Sequence, residues 1–86
     1  MTDQEFDVID ELYFVTPFSY LQTQTGIPGE DLKRVLTNLI SKSYVKCLYP
    51  DQDTEVPFDP DHFHLFHTSY YFLASKSGLL AHTTIG

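Results

Sequence analysis

TGIPGEDLKRVLTNLISKSYV, residues 25–45, decides how the rest of the chain is read. Leu32, Val35, Leu36, Leu39 and Ile40 recur at spacings of three and four, the signature of a helix with one apolar stripe. That spacing predicts a helix over 28–43. Gly26 suits a left-handed residue closing whatever helix comes before it. With Pro28 at the cap, Ile27 and Leu32 fall at the two ends of a hydrophobic staple. The opposite face carries Glu30, Lys33, Arg34, Thr37, Asn38 and Ser41, a small polar surface with two cations.

Working outward, Thr2-Asp3-Gln4-Glu5 has the form of a capping box. Phe6, Ile9, Leu12 and Tyr13 follow at helical spacing and predict a first helix over 3–14. Thr16-Pro17 is a second start signal, Thr as cap and Pro at the first helical position. It predicts a helix over 17–24 with Phe18 and Leu21 inward. Tyr44 to Tyr49 alternates and is rich in β formers, so it reads as a strand. Residues 50–61 hold three prolines and five carboxylates without periodicity and read as a loop. Residues 62–75 are aromatic enough for a second strand, bent near Thr68-Ser69 and paired with the first as an antiparallel hairpin spanning 44–75. Ser75 caps a short terminal helix over 76–82. The expected fold is a single domain over 1–86, mainly α with a small antiparallel β-hairpin (α+β).

Three helices followed by a hairpin resemble the winged helix-turn-helix domains of bacterial transcription regulators. The residues that carry the resemblance are Leu21, Thr25-Gly26-Ile27, Leu36 with Leu39, Ser43-Tyr44-Val45, and Phe72-Leu73-Ala74-Ser75-Lys76-Ser77-Gly78. Gln22 stands where that family prefers a small residue, and Ser43 replaces a common glycine. The resemblance implies that the third helix reads the DNA major groove, with the protein acting as a dimer. Lys33, Arg34, Thr37 and Asn38 are then the DNA-contact candidates.

The charge pulls the other way. The chain of 86 residues carries a formal net charge of -7. Residues 1–16 hold five acids and no base, and the expected wing tip holds Asp51, Asp53, Glu55, Asp59 and Asp61. Phosphate contacts by Lys and Arg supply most non-specific DNA affinity, and five basic side chains can make few of them. The alternative is an acidic protein–protein interaction module on the same fold. Surplus aromatics, with Phe66, Tyr70 and Tyr71 as interface candidates, suit a homodimer or another protein partner.

His62, His64 and His67 invite a metal reading. On a strand, however, His67 faces away from the other two, and the expected metal content is none. No spacing places a base beside a nucleophile and no glycine loop cradles a phosphate, so neither an enzyme nor a cofactor is expected. The lone Cys47 fits a reducing cytoplasm. The acidic N-terminus is unlike a signal peptide, and no apolar run is long enough to span a membrane.

Overall fold

The computed structural model describes residues 2–85. It contains five helices and a small four-stranded antiparallel sheet. Helix α1 covers Asp3–Asp10. Thr2 closes the expected capping box, its Oγ1 accepting from the Glu5 amide at 3.1 Å while Glu5 Oε1 accepts from the Thr2 amide at 2.9 Å. The helix ends four residues earlier than the 3–14 expectation. The Leu12 carbonyl, which a longer helix would use internally, instead accepts from the Ala74 amide at 3.0 Å. Tyr13, expected inward, therefore emerges half exposed.

Thr16 does not cap the next helix. It belongs to a two-residue strand, β1 (Thr16–Pro17), and its hydroxyl donates to the Phe14 carbonyl at 2.8 Å. Helix α2 (Phe18–Thr25) follows with Pro17 at its cap and closes at Gly26, whose φ of 70° is the expected left-handed turn. Helix α3 (Gly29–Ser41) starts from Pro28 as expected and buries Leu32, Val35, Leu36 and Leu39. Ser43, at the position where a glycine is common, takes φ 63°. Strand β2 (Val45–Leu48) then enters the sheet.

The hairpin expectation holds for its pairing and fails for its contents. Strand β4 (Tyr71–Ala74) lies antiparallel to β2, Val45 opposite Ala74 and Cys47 opposite Phe72. Residues 62–70 are not strand. Helix α4 (Pro60–Phe66) and a 3₁₀ turn (His67–Ser69) occupy them, and a further strand, β3 (Glu55–Val56), crosses the expected loop. The reason lies in Asp59-Pro60. Asp59 Oδ1 accepts from the amides of Asp61 and His62 at 3.1 and 3.4 Å, and Pro60 needs no partner in the first turn. The aromatic content of this segment resembles strand composition, but its N-terminal cap specifies a helix.

Helix α5 (Lys76–Ile85) closes the described chain. Ser75 caps it as expected, its Oγ accepting from the Gly78 amide at 3.0 Å and donating to the Ser43 carbonyl. The sheet order is β1-β4-β2-β3. Its inner face packs on α1, α2 and α3 through Val8, Ile9, Leu12, Leu21, Leu36 and Phe72, all fully buried. No helix among the described residues is long and apolar enough to cross a membrane.

Candidate protein-interaction surface

The polar face of α3 is where the sequence places its contact residues. Lys33, Arg34, Thr37 and Asn38 do lie together on one shallow surface, with Glu30 and Asp31 among them. Lys33 is drawn sideways. Its Nζ donates to His64 Nδ1 at 3.0 Å and stands 3.6 Å from Glu30, and its side chain is only 17% exposed. Arg34 pairs with Asp31 at 3.3 Å. The Thr37 hydroxyl donates to the Lys33 carbonyl at 2.8 Å, one turn back. Helix α4 stands beside this face, and a cleft lined by Lys33, Thr37, Phe58, Pro60, Phe63 and His64 separates the two helices. Farther along, Lys42 pairs with Glu5 at 3.1 Å and Lys46 with Glu55 at 3.7 Å. Four of the five basic side chains thus face a carboxylate within 4 Å.

Glu5 is 3% exposed. Burial by itself would raise its pKa, but hydrogen bonds from the Thr2 amide and the Lys42 ammonium, with the ammonium's charge, hold it below the ordinary carboxylate value.

The interface candidates separate. Tyr70 is buried and does not face solvent, correcting the expectation. Its hydroxyl bonds His62 Nδ1, and its ring lies 5.3 Å from Phe63 and 4.9 Å from Tyr49. Burial, then the proximity of Cys47, Asp59 and Tyr49, raises the Tyr70 pKa. The direction of the Tyr70–His62 hydrogen bond depends on the imidazole tautomer. Tyr71 is half-buried opposite Pro17. Phe66 is exposed, next to the more exposed Leu65.

His62, His64 and His67 sit on a helix and its 3₁₀ extension, not on a strand, and each is engaged separately. His62 meets Tyr70 and Tyr49, His64 meets Lys33, and His67 Nδ1 meets the His64 carbonyl at 3.2 Å. Cys47 is buried, with Sγ donating to the Val56 carbonyl at 3.4 Å, and burial raises its thiol pKa. Among the described residues no three His, Cys, Asp or Glu side chains gather to hold a metal ion.

One surface was not expected from the sequence. The connection between α1 and α2 forms an open groove of about 510 Å³, lined by Asp10, Glu11, Tyr13, Phe14, Pro17 and Tyr20 among others. Phe14 is 82% exposed, and Tyr13 and Tyr20 are about half exposed. The available signal was the run Tyr13-Phe14-Val15 directly before Thr16-Pro17, β-forming residues of which the 3–14 helix reading took Tyr13 and Phe14 into its last turn. No protein-family model, curated protein or solved structure matches the chain.

Proposed function

We propose that this chain is a non-catalytic protein–protein interaction module on a winged-helix framework, and that it does not bind duplex DNA. The α1-β1-α2-α3 order, followed by the antiparallel pair β2 and β4, supports the winged-helix reading. The observation carrying the functional part is the engagement of Lys33 by His64 and Glu30 beside α4. A helix entering the major groove needs its outer face clear and its cations free for phosphates. Here the segment between β2 and β4 stands against that face. The carboxylates that segment carries would approach the phosphates as the helix did.

The test is fluorescence anisotropy of a random-sequence duplex at low salt. It is run on the native chain and on the triple variant Asp51→Asn, Asp53→Asn, Glu55→Gln, which also releases Lys46 from Glu55. Neither protein should bind. Duplex binding that the triple variant strengthens and Lys33→Ala with Arg34→Ala abolishes would restore α3 as a DNA reader.

A further inference from the structure

The groove between α1 and α2 combines three properties on one small surface. Its walls are aromatic and exposed, through Tyr13, Phe14 and Tyr20. Its charged lining is acidic only, through Asp10 and Glu11, with no Lys, Arg or His. Its backbone and Tyr13 are also tied to the rest of the fold. The Tyr13 hydroxyl meets His82 Nδ1 at 3.3 Å, while the buried His82 Nε2, 3.4 Å from Asp10, makes no hydrogen bond. Thr16 Oγ1 ties the floor to the carbonyls of Glu11 and Phe14, and the Leu12 carbonyl is held by the Ala74 amide.

Exposed rings beside carboxylates suit a cation that also has apolar bulk. The ring faces attract a guanidinium or ammonium, the carboxylates pair with it, and the apolar ring area is covered by its stem. The chain before Lys33 holds no Lys or Arg, while Asp3, Asp7, Asp10 and Glu11 lie in it. A second copy of the chain fits poorly. A two-fold contact through this patch would set Asp10 and Glu11 against their own copies.

We infer that this groove is the docking site for a basic, partly apolar segment of a partner protein, with Phe14 as the central contact and Asp10 and Glu11 selecting positive charge. The inference rests on the reading of the chain as an interaction module and assigns that module its binding face.

The probe is a short labelled peptide alternating arginine with leucine and phenylalanine, paired with a counterpart in which glutamate replaces each arginine. Anisotropy titrations of the full chain at low and high salt are combined with amide chemical-shift mapping. The basic peptide should bind, the acidic one should not, and the shifts should centre on residues 10–20. Phe14→Ser should weaken binding about tenfold or more, as loss of a central anchor does. It should leave the melting temperature unchanged, since the ring is 82% exposed. Glu11→Gln should weaken it only a few-fold and reduce its salt dependence, as expected for a partly exposed charge. Equal binding of both peptides, no binding of either, or an unaffected Phe14→Ser variant would overturn the assignment. So would self-association that Phe14→Ser abolishes. Shifts mapping to Leu65 and Phe66 would remove this groove while leaving the interaction-module reading intact.

Discussion

Helices α3 and α4 both begin beside a proline and stand next to each other, yet they are held by different means. Helix α3 carries its own instruction, with four residues of its stripe buried in the core. Helix α4 has seven residues and buries one of them, Phe63. A helix that short is not stable by itself in water. It is kept in place by its Asp59 cap and by rings that lie outside the helix itself. Phe63 lies 5.4 Å from Phe58, 5.3 Å from Tyr70 and 6.0 Å from Phe72. The lesson is that a periodic stripe specifies a helix locally. A helix docked by one ring depends on partners its own sequence does not show.

The sharpest test sets two truncations side by side. Phe63→Ala should cost about 3–5 kcal/mol, the range for emptying a buried aromatic site. Amide protection in residues 60–69 should then fall further than in α3. Leu36→Ala should cost about 2–5 kcal/mol and lower protection evenly in every element, because Leu36 is fully buried in the shared core. Uniform loss in the Phe63 variant, read by hydrogen exchange, would end the distinction between the two helices.

Helix α5 extends the comparison with a third way of fixing a helix, by close backbone approach. A Cβ placed on Gly78 would stand 2.1 Å from the Tyr44 carbonyl oxygen. Helix propensity alone favours Gly78→Ala by about 1 kcal/mol. Overpacking against backbone should outweigh it, for a net loss of about 2 kcal/mol in denaturant unfolding. A more stable Gly78→Ala protein would mean that α5 can lift from Tyr44 at no cost.

The smallest effect concerns how α1 is tied to α3. Glu5→Gln keeps the shape of the capping box and weakens the Lys42 contact, which is half open to solvent on the Lys42 side. The expected loss at neutral pH is under about 1 kcal/mol. The pH dependence is more telling. Because the native pKa of Glu5 lies below its ordinary value of 4.5, its contribution is present above that value. It is lost as pH falls through the lowered native pKa. Acid unfolding curves of the Glu5→Gln variant should therefore be flatter than those of the native chain below about pH 4.5. Identical curves would remove Glu5 from the acid response.

What could be read in advance follows the same division. The capping box at Thr2, the Gly26 turn, the Pro28 start, the α3 stripe and the Ser75 cap all depend on neighbours within a few residues, and each is present in the structure. The end of α1 and the strand at Thr16 depend on residues far along the chain, and the docking of α4 depends on rings outside its own span. Ala74 takes the Leu12 carbonyl, Phe72 pairs with Thr16, and Tyr70 and Phe72 receive Phe63. The candidate surface divides likewise. Lys33, Arg34, Thr37 and Asn38 were placed on one face by spacing alone. The groove around Phe14 required knowing that α1 stops at Asp10.

The sheet order β1-β4-β2-β3 sets its shortest strands outermost, two residues each, around a central pair of four. One rim contains Pro17, which has no amide hydrogen to offer, and the other contains the charged Glu55. A stray chain approaching either side finds almost no ladder to extend, and a net charge of -7 repels copies of the same protein. The exposed Phe14, Leu65 and Phe66 rings and side chains can therefore remain at the surface without the sheet serving as a template for fibrous aggregation.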